Sequence, residues 1–164
     1  MEDHRKFMKQ AISLSADNLK TLAGGPFGCV IVRDGEILSA AANTVTQDSD
    51  PTAHAEINAI RQAAKKIGKP DLSGCTLYTS AEPCPMCLSA IYWCNIKQVF
   101  YGNTKRDAEW AGFGDQFILD QLQHGIDEQA IKFERLSASE AIAVFEKWVA
   151  TNPEIKSKVK DGSR

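Results

Sequence analysis

The sequence predicts an α/β protein, a layered α/β/α domain, on three observations. Short strand-like apolar runs alternate with amphipathic stretches at helical spacing along most of the chain. The 164 residues, 43% of them apolar and 24% charged, are one domain's worth with enough apolar side chains for a core. No internal repeat, low-complexity tract or interdomain linker breaks the pattern.

Residues 5–20 read as an amphipathic helix, because Phe7, Ala11, Leu14 and Leu19 recur near helical spacing. Leu22-Ala23-Gly24-Gly25-Pro26 ends it. Residues 27–32 are strand-like, Asp34-Gly35 is a strong hairpin signal, and residues 36–42 form the returning strand. Asn43 stands where that strand gives out. Asp50-Pro51-Thr52 opens the next helix, with Asp50 or Thr52 as its cap and Pro51 near its first turn. Across residues 53–67, Ile57, Ile60, Ala64 and Ile67 give it one side that can pack on a sheet, and Gly68 and Pro70 stop it.

Residues 75–79 are a short buried strand. Ser80-Ala81-Glu82-Pro83 leads into a third helix that begins near Cys84 and continues through Leu88, Ile91 and Tyr92. Residues 98–101 supply another strand, and a helix starts near Gln116. Residues 131–136 read as a final short strand before a last helix over 138–149, which carries Ile142, Phe145, Trp148 and Val149 on one side. The tail 154–164 is polar and lysine-rich, the composition of a frayed end. The expected organisation is a domain over 1–151, with 137–151 as its C-terminal helix, and a polar tail over 152–164.

Chemistry concentrates at His54-Ala55-Glu56 and Pro83-Cys84-Pro85-Met86-Cys87. One imidazole and two thiolates suit zinc, and three protein ligands leave a fourth tetrahedral position for water. That is the pattern of a hydrolytic site. A redox Cys-x-x-Cys pair and half of a structural zinc site are the alternatives. The first usually wants a strand feeding a thioredoxin-like unit. The second needs another ligand, and Cys29, Cys75 and Cys94 each sit in an apolar run that reads as core. Glu56 lies two residues from His54, close enough to face the same cavity without binding the metal, where it can carry protons. Its other reading is a helix-surface carboxylate paired with a lysine. Both thiols fall at a helix start, where unpaired N–H groups favour thiolate.

Composition weighs against several function classes. A net charge of -2 argues against a polynucleotide partner, whose phosphates demand positive charge. No apolar run approaches membrane-spanning length, and the start Met1-Glu2-Asp3 is not that of a signal peptide. Five cysteines, an odd number with two in a metal-like motif, fit a reducing cytoplasm better than a disulfide framework.

His-x-Glu followed by Pro-Cys-x-x-Cys is a known signature of zinc nucleobase deaminases. From roughly Phe7 to Trp148 the chain resembles the cytidine deaminase superfamily, and within it the small bacterial-type guanine deaminase branch. The superfamily motifs are Pro-Thr-Ala-His-Ala-Glu at 51–56 and Glu-Pro-Cys-Pro-Met-Cys at 82–87. The branch is suggested by Gly-Gly-Pro-Phe-Gly at 24–28, Asn43, Ala-Ile-Tyr-Trp at 90–93 and Glu-x-Ala-Gly-Phe-x-Asp at 109–115. The resemblance implies a three-layer α/β/α sandwich with a central mixed five-stranded sheet, in a domain-swapped homodimer that exchanges the C-terminal helix. It implies one Zn²⁺ per chain held by His54, Cys84 and Cys87, Glu56 as the catalytic proton carrier, and guanine or a related small base as substrate. Asn43 and Asp115 match the residues that contact the purine. The branch also places a tyrosine near the C-terminus, delivered across the dimer. This chain has no aromatic residue after Trp148, and Ser157 falls near that position.

Several residues keep two readings at this point. Asn43 is either a turn residue satisfying its own backbone or a donor and acceptor for a purine edge. Asp115 either caps the following helix or accepts from the N–H and amino groups of guanine, which would reject adenine. Phe27, Trp93, Trp110 and Phe113 can sandwich a ring, or serve as core and dimer contacts. Ala55 and Cys84 can offer backbone N–H groups to developing charge, both being in first helical turns. The competing activities are tRNA adenosine deamination and the deamination of guanosine or cytosine. A non-catalytic zinc-stabilised binding module is the reading from another class.

Overall fold

The computed structural model describes residues 2–152; the tail beyond, with Ser157, lies outside the described residues. The chain divides into two compact units between Asp120 and Gln121.

The first unit begins with α1 (Glu2–Thr21) and the hairpin of β1 (Gly28–Arg33) and β2 (Glu36–Ala42). Asp34 and Gly35 both take positive φ, 51° and 79°, the geometry a two-residue hairpin turn requires. A short helix α2 (Val45–Asp48) follows, then α3 (Ala55–Ile67), β3 (Thr76–Ala81), α4 (Pro85–Trp93), β4 (Gln98–Asn103), α5 (Lys105–Trp110) and α6 (Gln116–Gln123), which crosses the boundary. The sheet runs β2-β1-β3-β4. β1 pairs antiparallel with both β2 and β3, and β3 pairs parallel with β4, so the sheet is mixed.

Side-chain alternation along the strands builds two cores. Cys29, Ile31 and Leu77 meet Ala55, Ala59 and Ala63 of α3 on one face, together with Ile91. Val30, Val32 and Tyr78 meet Phe7 and Ala11 of α1 on the other. Small residues on the inner side of α3 let its axis approach the strands closely. Among the described residues no helix is long and apolar enough to cross a membrane.

Four expectations are corrected. The sheet has four strands among the described residues, not five. Residues 131–136 form no strand, because a strand exists only through ladder bonds with a neighbour and none is made there. Ile131, Phe133 and Leu136 are accordingly exposed. In α1, Leu19 points outward, 68% exposed, and Asn18 takes the inward place at 4%. Asn18 lies seven residues after Ala11, close to two full helical turns, and its Nδ2 donates to Gly25 O at 2.8 Å and Asn43 O at 2.7 Å. A polar side chain here satisfies loop carbonyls that a leucine would strand. Neither Asp50 nor Thr52 caps α3, whose N-cap is His54. Asp50 Oδ1 instead accepts from the backbone N–H and the hydroxyl of Thr52, both at 2.7 Å, closing a local turn.

The second unit carries a 3-10 turn over Ile126–Glu128 and α7 (Ala138–Thr151). Ile142, Phe145 and Trp148 of α7 are exposed.

Gly28 marks a close approach of β1 to α1. A Cβ there would run into the carbonyl oxygen of Ala11 and lie 2.7 Å from Leu14 Cβ and 2.8 Å from Ser15 N, all on α1. Because the obstruction is mostly helix backbone, Gly28→Ala should lower unfolding stability by about 2–3 kcal/mol. Urea denaturation with unchanged slope would show this, and a wild-type midpoint would refute it.

Candidate active site

Two helices deliver the metal-ligating side chains. His54 is the N-cap of α3 and Cys84 the N-cap of α4, with Pro85 in the first turn after it and Cys87 one turn along. His54 Nδ1 lies 3.5 Å from Cys84 Sγ and 3.6 Å from Cys87 Sγ. The ligand atoms of all three residues fall within 4.8 Å of one another. This N,S,S donor set, at the spacing of a shared cation, is one that zinc takes.

The site's electrostatics favour a thiolate. Cys84 Sγ accepts from Cys87 N–H at 3.5 Å at the start of α4. Its pKa falls to about 4, first through the hydrogen bond from the Cys87 side chain and also through His54. The Cys87 thiol is pushed up, because Cys84 already holds the negative charge and burial disfavours a second. The His54 pKa is raised, chiefly by its hydrogen bond to Cys84.

Glu56 sits behind these ligands, 6% exposed. Thr79 Oγ1 donates to its Oε1 at 3.0 Å, and Cys87 Sγ lies 3.5 Å from its Oε2. Burial raises its pKa, while the hydrogen bonds pull the other way. A carboxylate with a raised pKa beside a metal site is suited to taking and returning protons.

A cavity of about 530 Å³ opens in front of these groups. His54, Glu56 and Cys84 line it, as do Asn43, Phe27, Phe113 and Asp115. Phe27 and Phe113 meet edge to face, with ring centroids 4.9 Å apart and planes at 83°. Asn43 is buried and has a structural bond, its Oδ1 accepting from Val45 N–H at 3.1 Å. A Cβ on Gly24 would collide with that same Oδ1 and come within 2.8 Å of Asn43 O, so only glycine leaves Asn43 its place. Asp115 Oδ2 accepts from Lys105 Nζ at 2.9 Å. Three expected contact residues lie elsewhere. Trp93, at the end of α4, is 76% exposed and does not line the cavity, and Trp110 is likewise exposed and outside it. Ala55 is buried beneath the start of α3 and is not a lining residue.

Two contributors escaped the sequence reading. Thr79 shares the inward face of β3 with Leu77, so its position in a buried apolar run was the available signal. Lys105 opens α5 behind the capping box of Thr104 and Asp107, and nothing local marks it as a cavity residue.

An α/β/α unit that brings an imidazole, two thiolates and a buried carboxylate to one cavity defines a metal-dependent hydrolase site. Comparison with known proteins narrows the class. Residues 1–103 match the family model described as the cytidine and deoxycytidylate deaminase zinc-binding region, and the chain belongs to that family. It is 46% identical to the guanine deaminase of Bacillus subtilis (strain 168) over 146 residues, 89% of this chain and 94% of that one. A solved structure of guanine deaminase from Bacillus subtilis superposes with a TM-score of 0.86 at 46% identity, covering 88% of this chain and 92% of the other. A tRNA-specific adenosine deaminase of Aquifex aeolicus is 38% identical, over 77% of this chain and 83% of its own length. The cofactor is a single Zn²⁺ per chain, at His54, Cys84 and Cys87.

The thiol asymmetry has a chemical readout. After chelation of the metal, Cys84 should remain thiolate above about pH 4 while the other four thiols, all pushed up, stay protonated. Iodoacetamide at about pH 6 should therefore label Cys84 first by peptide mapping, and added zinc should protect it. Equal labelling of Cys84 and Cys87 would contradict the assignment.

Proposed function

We propose that this chain hydrolyses guanine to xanthine and ammonia, and that Glu56, Asn43 and Asp115 perform the steps and the recognition. The observation that carries this reading is the meeting, in one cavity, of a buried carboxylate beside the zinc ligands with a second carboxylate, Asp115, suited to a purine's donor edge. The 46% identity to a guanine deaminase over nearly the whole of both chains supports the choice of base.

Zinc held by His54, Cys84 and Cys87 supplies a Lewis acid that makes water nucleophilic near neutral pH. Glu56 accepts a proton from the attacking water and passes it to the ring nitrogen beside C2, which makes that carbon electrophilic. Addition at C2 gives a tetrahedral intermediate. Glu56 then carries the second water proton to the amino group, and ammonia leaves as the ring carbonyl forms. Thr79 holds Glu56 in line through the hydroxyl bond to Oε1. Asp115 accepts from N1–H and the amino group of guanine, and it meets an acceptor at N1 of adenine, which disfavours that base. Asn43 offers its amide donor to the ring, and the Phe27–Phe113 pair forms an apolar wall. Backbone N–H groups at Ala55 and Cys84 belong to the starts of α3 and α4, where helix ends favour developing negative charge.

Ammonia release from guanine, guanosine, adenine, cytosine, cytidine and a tRNA tests this reading directly. Guanine should be the preferred substrate. In the same assay Glu56→Ala should lose ~10²-fold or more of the guanine rate. Elemental analysis should still find about one zinc per chain, as expected for a proton carrier outside the metal's ligands. A preference for any other substrate, or loss of zinc in that variant, would overturn the corresponding part.

We also place the protein in the cytoplasm as a homodimer that exchanges its C-terminal helix. All five cysteines are free, as a reducing compartment requires. The exposed Ile142, Phe145 and Trp148 of α7 form an apolar face that a second copy would cover. Sedimentation at micromolar protein should give a dimer, and truncation after Leu136 should abolish it. An active monomer would refute the exchange.

A further inference from the structure

We infer that Lys105 is a positioning residue for substrate selection, a strut that ties the Asp115 carboxylate to the segment carrying the Cys84 ligand. The inference rests on the reading of Asp115 as the group that accepts from the base. Lys105 is the first residue of α5, and its backbone N–H donates to Glu82 Oε2 at 3.2 Å. Its Nζ reaches Asp115 Oδ2 at 2.9 Å and Pro83 O at 3.5 Å. One residue thus touches both residues that lead into Cys84 and the carboxylate that lines the cavity.

The geometry gives this contact a role that an ordinary surface ion pair lacks. Asp115 follows Gly114 in the connection between α5 and α6, with no strand or long helix to orient its side chain. Its side chain is 18% exposed and that of Lys105 31%, so the pair is partly withdrawn from solvent. A carboxylate has about four lone-pair sites, and a single ammonium bond on Oδ2 leaves sites on both oxygens for two substrate donors. The charge-assisted bond therefore orients the acceptor without consuming it. Because the other contacts of Lys105 run to Glu82 and Pro83, the distance from acceptor to metal ligands is set through one side chain. A base held by Asp115 is then presented to Glu56 at a defined position.

A positioning role predicts a pattern in a double-mutant cycle. Lys105→Met keeps the stem and removes the cation. It should raise KM for guanine by about tenfold with a smaller change in kcat, at wild-type zinc content and melting temperature. In an Asp115→Asn background, which retains the residue's size but not its charge, adding Lys105→Met should change KM by less than about twofold. Effects that multiply would mean Lys105 acts independently of Asp115, and a wild-type KM in Lys105→Met would remove the strut altogether. The single variant Asp115→Asn separates the two levels. Wild-type guanine kinetics there would overturn the reading of Asp115 itself, whereas a loss there with multiplying effects in the cycle would overturn only the role of Lys105.

Discussion

The carboxylate of Glu56 is nearly out of reach of water, and a charge in that position is tolerable only with partners arranged around it. β3 supplies the Thr79 hydroxyl, α4 supplies Cys87, and α3 places the group in its own first turn, where the helix end favours negative charge. These demands fix much of the first unit's geometry. The inward face of β3 must run beneath the start of α3, and α4 must begin just beyond the end of β3. The alanines on α3 meet the first demand, because only small side chains allow a helix so near the strands. Glu82-Pro83 meets the second by ending the strand and starting a helix within a few residues.

The same constraint explains the asymmetry between the thiols. Cys84 caps a helix and faces His54, whereas Cys87 is fully buried and lies against the Glu56 carboxylate. A negative charge is therefore favoured on the first and opposed on the second. A divalent cation among the three ligands reverses that opposition, since it offsets the charge of both thiolates and of the carboxylate behind them. The metal is thus an electrostatic component of the fold as well as of the chemistry.

The cavity's remaining walls depend on close approach rather than on charge. Asn18 from α1 bonds the carbonyls of Gly25 and Asn43, which draws the loop after α1 against the end of β2. Gly24 allows that approach, and Asn43 answers it with a turn bond to Val45. Both readings of Asn43 raised by the sequence therefore concern one side chain, since its oxygen closes a turn while the residue lines the cavity. Asp115 is similar, because it begins the turn into α6 through its backbone carbonyl while its carboxylate meets Lys105.

The ligand set was legible in the sequence because its chemistry is local. A helix start orders two cysteines three residues apart and a histidine two residues before a glutamate without knowledge of the rest of the chain. The strands β1 to β4 and the helices α1, α3 and α4 were legible for a related reason, since each buries a face whose period shows in its own residues. Residues 131–136 have strand-like composition but no ladder partner, and pairing is a property of two segments, which is why the sheet has four strands here. Thr79 reaches Glu56 across 23 residues and Lys105 reaches Asp115 across 10. Trp93 had the composition of a ring contact, yet its place on α4 turns it out of the cavity. The sequence by itself determined which atoms can hold the metal and move a proton. Only the tertiary structure decided which side chains hold those atoms in place and which ones line the cavity, because such pairings depend on how separate elements pack and not on any local spacing.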